Sequence, residues 1–246
     1  MDSKKLFIGK SEDYSSFRPS YPDAAISWLR ERCSGERVVD IGAGTGIFTK
    51  ALLRFFKDVT AVEPNDDMLS KFTEILPHIP IIKGTGEATG LSDNSVDLIT
   101  VAQAFHWLDE DKFKSEATRI LSKGGKVAII WNTSLENEFT KARDNICKKH
   151  CPRFRTGYAG KRSPAEGDTF LRFHYFRKVE VAAFSNPFTM SKEVFEGNMR
   201  SRSYFPIPSD LNHKKIIKEL DQLFDIYATD GSVTEPLETQ IFLGEF

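Results

Sequence analysis

Cysteine is scarce in this chain, with three among 246 residues. Three thiols cannot build the framework of paired bridges that staples small secreted domains. The start of the sequence lacks the charged n-region and apolar h-region of a secretory leader. No apolar run approaches the roughly 18 residues that a membrane span needs. Neither sign of charge is in excess: 34 Lys and Arg face 35 Asp and Glu, so no global attraction to nucleic acid is expected. Internal repeats and low-complexity segments are missing as well. These absences exclude a secreted disulfide scaffold, a membrane-spanning protein and a disordered chain. A cytoplasmic globular domain is the expectation that remains. A chain of 246 residues amounts to one large domain, or one with a substantial insertion, and can bury a full core unaided. Phe dominates the aromatics, 20 against six Tyr and three Trp, so the core or a pocket should be Phe-rich.

What is present alternates between two periodicities. Helical spacing is read over 22–33, with Ala25, Ile26, Trp28 and Leu29 apolar and Gly35 as a stop. It returns over 48–56, over 66–76 before Pro77 and Pro80, and over 109–121 before Lys123-Gly124-Gly125. Strands are read over 37–41, 59–63, 79–83, 96–102 and 126–131. Such alternation predicts a parallel sheet with helices on both faces. The run 96–102 is nearly continuous in apolar residues and 127–131 is apolar throughout, as doubly covered strands are. After Trp131 the texture changes: residues 141–178 hold 11 Lys or Arg and three acids. A strand over 179–184, a helix over 211–227 and a last strand over 239–246 follow. The predicted organisation is a single domain over 1–246. An N-terminal lid and helix occupy 1–30, a cofactor-binding core 36–131 and a basic cap insertion 132–178. Final strands and helices over 179–246 complete the sheet.

The most informative stretch is Val38-Val39-Asp40-Ile41-Gly42-Ala43-Gly44-Thr45-Gly46. It follows a strand and opens a helix, the context of a nucleotide-binding glycine turn at the crevice of an open α/β sheet. The pattern is Asp-x-Gly-x-Gly-x-Gly, not the dinucleotide Gly-x-Gly-x-x-Gly. A carboxylate at Asp40 is badly placed for a pyrophosphate. It suits a ligand with a cationic end, such as S-adenosylmethionine. Glu63, at the end of the second strand, can accept both hydroxyls of a ribose, which NAD would also supply. Met68 offers a soft apolar surface for an adenine face.

At these residues the sequence resembles the class I S-adenosylmethionine-dependent methyltransferases. More narrowly, it is similar to the methyltransferase type 11 group that includes trans-aconitate methyltransferase-like proteins. Five segments carry the resemblance in order. They are 38–46 above, Ala-Val-Glu-Pro-Asn-Asp-Asp-Met-Leu (61–69), and Gly-Glu-Ala-Thr-Gly-Leu-Ser-Asp-Asn-Ser-Val-Asp-Leu-Ile-Thr (86–100). Ala-Gln-Ala-Phe-His-Trp-Leu-Asp (102–109) and Leu-Ser-Lys-Gly-Gly-Lys-Val-Ala-Ile (121–129) complete the set. Less specific matches lie at 17–22 and 201–204. The resemblance implies an α/β fold: a Rossmann-like, seven-stranded, mostly parallel sheet with an antiparallel last strand, plus a substrate-cap insertion. It implies S-adenosylmethionine as methyl donor and S-adenosylhomocysteine as product. Gly42, Ala43, Gly44 and Gly46 would border the methionine part and the ribose, with Asp40 near the donor's amino group. Glu63 would hold the ribose, Pro64 and Met68 would lie on the adenine side, and Thr85, Gly86 and Glu87 at the adenine edge. Many relatives carry an aspartate where Thr85 or Gly86 stands. Gln103 would lie near the methyl, and Tyr14, Arg18 and Tyr21 would belong to an N-terminal lid, with Arg18 facing the donor's carboxylate.

For the acceptor, Tyr21, His106, Trp107, Arg153 and Arg155 are the candidate contacts. His106 is the candidate base for a hydroxyl or amine, while an ionised carboxylate needs none. The expected activity is methyl transfer to a small molecule, with O-methylation of a carboxylic acid as the favoured case. Two alternatives stand beside it: an RNA or protein methyltransferase docking through 141–178, and a non-catalytic nucleoside-binding module. Nucleic acid is the less favoured partner, since net charge is near zero and no separate RNA-binding module is seen. A metal is not expected, because Cys147, His150 and Cys151 lack a second cysteine pair. The sequence leaves monomer and dimer equally open.

Overall fold

In the computed structural model, residues 9–154 and 164–246 are described. Arg155, a candidate acceptor contact, lies outside them. The chain begins with α1 (Ser11–Phe17) and α2 (Asp23–Arg32), followed by β1 (Arg37–Ile41), α3 (Ile47–Leu52) and β2 (Asp58–Val62). Then come α4 (Asp66–Ile75), β3 (Ile81–Ile82), β4 (Val96–Ala102), α5 (Glu110–Ile120) and β5 (Leu121–Ser134). After α6 (Glu138–His150) and α7 (Pro164–Phe170) the chain forms β6 (Lys178–Ser185), β7 (Phe188–Ser191), α8 (Lys192–Arg200), α9 (His213–Tyr227), β8 (Ser232–Glu235) and β9 (Leu237–Glu245).

Seven strands form one sheet in the order β3-β2-β1-β4-β5-β9-β6. Strands β1 to β5 pair in parallel, and β9 runs antiparallel to both β5 and β6. The predicted Rossmann-like architecture with an antiparallel last strand is therefore the observed one. Its physical cause is visible in β1. Val39 and Ile41 join one buried cluster with Ile99, Val101 and Phe113, while Val38 joins the other with Ile26, Leu29 and Leu52. Alternate side chains point to opposite faces, and both faces are covered.

Three local expectations are corrected. The third strand is two residues, Ile81–Ile82, rather than 79–83. The fifth is longer than 126–131: β5 starts at Leu121, where Lys123-Gly124-Gly125 was expected to stop a helix. Those residues run on as a strand edge, with a register shift against Val96 and Leu98. The cap is drawn from two stretches rather than from 132–178 alone. Its buried core joins Phe139 and Cys147 of α6 to Phe195 of α8, Leu220 and Phe224 of α9, and Met190 and Val233 of the separate β7–β8 ribbon. Meanwhile Tyr175 and Phe176 return to the sheet core, where both rings meet Phe246. The Phe residues thus fill cores, as composition suggested. The described aromatics of 141–178 pack in the sheet core or the cap, or face solvent as Phe173 does.

The N-terminal segment is tied down at several points. Lys10 Nζ donates to Arg202 O (2.6 Å), Asn198 Nδ2 donates to Phe17 O (3.0 Å), and Arg200 Nε donates to Asp13 Oδ2 (3.2 Å). These bonds hold α1 against α8, above the carboxyl ends of β1 and β4.

Candidate active site

At the carboxyl end of β1 the chain must turn sharply before α3. Gly42 and Gly44 have φ of +69° and +58°, a region that side chains other than glycine rarely adopt. A Cβ added to Gly44 would meet nothing nearer than Tyr14 Cε1, at 4.0 Å. The turn therefore leaves open space on its outer side, shaped for close approach of a ligand to the backbone.

Glu63 follows β2 directly and braces that turn. Its Oε2 accepts from Gly44 N and its Oε1 from Asn65 N, both at 2.8 Å. The carboxyl is 6% exposed. Burial pushes its pKa up, and the two backbone bonds oppose the shift. Each carboxylate oxygen keeps a further lone pair, enough to accept two ribose hydroxyls. Asn65 caps α4 by accepting from Met68 N (3.0 Å), which sets Met68 beside Glu63. A cavity of about 230 Å3 opens here between Gly44, Glu63, Pro64, Met68 and the 85–87 turn. In that turn Glu87 Oε1 accepts from Asp109 N (2.8 Å).

A second chamber, about 150 Å3, continues past Gln103. Tyr14, Gly42, Ala102, Gln103 and Trp107 are walls common to both. Gln103 follows β4 directly with φ +57°, a costly conformation for a side-chain-bearing residue and a marker of functional positions. Its Nε2 donates to Asn132 O (3.1 Å). The chamber is lined further by Arg18, Tyr21, Asp40, Ala43, His106 and Ser203. Asp40 is 1% exposed, and its oxygens accept from Thr49 Oγ1 (2.6 Å) and Thr100 Oγ1 (3.0 Å). Burial raises it to about 7, against the pull of those hydroxyls. His106 stacks on Trp131 with centroids 5.3 Å apart. The Arg18 guanidinium lies 5.0 Å from the Tyr14 ring centroid. Burial and nearby Arg202 depress its pKa.

Most residues singled out from sequence meet in these two chambers. Gly46 does not line either: it packs its backbone against Phe72 and Leu76. Arg153 is also absent from both linings. It is exposed beside Lys10, whose pKa falls to about 8 through burial and then through Arg153. Much of the basic tract is paired elsewhere, as Arg143 is with buried Glu235 and Lys149 with Glu219. Sequence reasoning missed Asn132 and Ser203. Asn132 Nδ2 donates to Ser20 O (3.2 Å), and its Oδ1 accepts from Thr239 Oγ1 (2.6 Å). It joins the lid to two strands, a role with no local sequence signal. No cluster of three potential metal ligands occurs among the described residues. Among them, too, no helix is long and apolar enough to cross a membrane.

Residues 39–129 match the family model described as Methyltransferase domain. An uncharacterized methyltransferase of Mycobacterium tuberculosis is 44% identical over 120 residues, 49% of each chain; the chain thus spans about half the length of this curated relative. An uncharacterized methyltransferase-like protein of Schizosaccharomyces pombe is 27% identical over 89% of this chain and 86% of its own. Among solved structures, a candidate type II methyltransferase from Anaeromyxobacter dehalogenans has a TM-score of 0.71 at 23% identity, covering 94% of this chain and 98% of that one. That likeness is one of fold. Taken with the glycine turn and the sheet order, the match over 39–129 makes that stretch of the chain similar to methyltransferase domains.

Proposed function

We propose that the protein transfers a methyl group from S-adenosylmethionine to a small-molecule acceptor. The observation that carries this reading is the joined pair of chambers, with Glu63 and the open face of Gly44 at one end and His106 at the other. When bound, S-adenosylmethionine supplies an electrophilic sulfonium methyl and leaves as S-adenosylhomocysteine. Glu63 would accept the ribose hydroxyls, Met68 would cover the adenine, and the 85–87 turn would meet its edge. Arg18, the one Arg or Lys among the described residues lining the second chamber, would hold the donor's carboxylate. Asp40 sets the charge near the donor's cationic end. Gln103, held by Asn132, separates the two chambers and would orient the donor at the seam.

The protein's contribution is chiefly alignment, which can supply several kcal/mol of a displacement barrier, up to about 7–11 in well-oriented cases. A carboxylic acid is the first acceptor class to try, because it is an anion and a nucleophile at neutral pH. With a hydroxyl or amine acceptor, His106 is placed to take the proton. A chamber of about 150 Å3 under the lid favours a small acceptor over a polynucleotide or protein surface, and Arg153, the described half of the predicted Arg153–Arg155 contact pair, does not reach it.

Calorimetric titration with S-adenosylhomocysteine, with NAD as control, tests the reading. Micromolar binding of the former alone is expected. Glu63→Ala should weaken it by about 1–3 kcal/mol, the worth of hydrogen bonds to a charged group. Binding of NAD alone would overturn the reading.

A further inference from the structure

Arg18 has a second open side. Away from the inner chamber, a cavity of about 360 Å3 lies between the end of α1, the glycine turn and the outer face of α3. By the same measure one water needs about 10–15 Å3, so the cavity has room for a polyatomic ligand. Three cations line it, Arg18, Lys50 and Arg54, together with the hydroxyl residues Ser15, Ser20 and Thr45. No acidic residue is among the described lining residues.

Two features are unexplained by the fold alone. Thr45 is 1% exposed, yet its Oγ1 has no hydrogen-bond partner among the described residues. The buried Nε of Arg18 has none either. Native proteins satisfy nearly all such groups, and leaving one unmet costs about 1–3 kcal/mol. Arg54 is partly committed, since it pairs with Asp23. Lys50 is exposed and makes no ion pair with any described residue. Thr45, Lys50 and Arg54 line this cavity and neither inner chamber, so they are not accounted for by the donor.

We propose that this cavity is a binding site for a phosphate-class oxyanion. A tetrahedral anion with several acceptor oxygens takes donors from many directions at once. Lys50 supplies a mobile point charge, Arg18 its free guanidinium edge, and Thr45 a hydroxyl proton. Because Arg18 also lines the inner chamber, occupancy of the outer site is linked to donor binding, and the linkage is reciprocal.

The test is titration of the full chain with inorganic phosphate, followed by 31P NMR or calorimetry. Saturable one-site binding is expected. Lys50→Glu, an exposed position, should weaken it at least tenfold, and Thr45→Val a few-fold, while S-adenosylhomocysteine affinity stays within twofold in Lys50→Glu. Phenyl phosphate binding as well as phosphate would mark a phosphoryl group on a larger molecule, and preference for phosphate a free ion; either keeps the site. Absence of saturable binding would overturn the proposal. So would unchanged phosphate affinity in both variants, which would place the ion elsewhere on the surface. Equal loss of phosphate and S-adenosylhomocysteine affinity in Lys50→Glu would also overturn it, by making the cavity part of the donor site.

Discussion

The two ends of the cleft are built in different ways. The end around Glu63 and Met68 is lined, apart from Tyr14, by residues 42–108, a stretch that folds as consecutive strand-turn-helix units. The far end draws on residues as distant as Arg18, Asp40, His106, Asn132 and Ser203. One end is held by short-range bonds, such as Gly44 N to Glu63 and Met68 N to Asn65. The other is held by bonds between distant segments, such as Lys10 to Arg202, 192 residues apart, and Asn132 to Ser20, 112 apart. A unit of local contacts keeps its shape when the rest of a protein diverges. An assembly of distant pieces can change its lining with one loop or cap residue. The Glu63 end, where the donor is proposed to sit, is therefore suited to a constant ligand, and the far end to a variable one.

The sharpest way to break this contrast is to block the local end. Gly44→Arg should abolish S-adenosylhomocysteine binding, because the side chain must enter the cavity that the Gly44 backbone faces. Gly44→Ala separates strain from blockage: it adds roughly 1–2 kcal/mol of left-handed backbone cost with no nearby clash. Calorimetry on both variants decides the matter, and full affinity in Gly44→Arg would remove the donor assignment.

The same contrast explains what could be read from sequence. The alternation of strands and helices over 37–131 was legible from periodicity, the antiparallel β9 was implied by the family resemblance, and the segments from Asp40 to Gln103 that line the cleft were marked by motifs spanning a few turns of chain. Asn132 and Ser203 were not, since their place depends on how α1 and α8 settle over the sheet. The basic tract misled for a related reason. A run of Lys and Arg shows charge but not its partners, and Arg143 turns inward to buried Glu235. Lys123-Gly124-Gly125 reads locally as a helix stop, and α5 does end at Ile120, but the segment itself lies within β5, in the register shift between Leu121 and Lys126.

A smaller effect should divide the two ends. Arg18→Met removes the far chamber's lining guanidinium while leaving Glu63 and the turn untouched. Affinity for S-adenosylhomocysteine should fall about tenfold, the scale of one charged hydrogen bond. Affinity for 5′-methylthioadenosine, which has no amino-acid end, should not change. Parallel losses for both ligands would mean that Arg18 acts by holding the lid over the whole cleft.

The smallest effect lies at the seam, where Asp40 belongs to the local motif but lines the far chamber. Burial holds its pKa near 7 instead of 3.8, so the folded chain binds this proton more tightly than the unfolded one. Its contribution to stability is full below about pH 4, is lost as pH rises to about 7, and is flat above. Ligand charge reverses that preference. Donor and product share the ammonium, but the sulfonium adds a second positive charge, so the ionised carboxylate favours the donor more than the thioether product. Raising pH from 6 to 8 should therefore tighten S-adenosylmethionine relative to S-adenosylhomocysteine by a few-fold. Asp40→Asn keeps the Thr49 and Thr100 neighbours but cannot ionise, and should leave the ratio level across that range. A slope that survives in Asp40→Asn would assign the titration to another group, and would return Asp40 to a purely structural place beneath the turn.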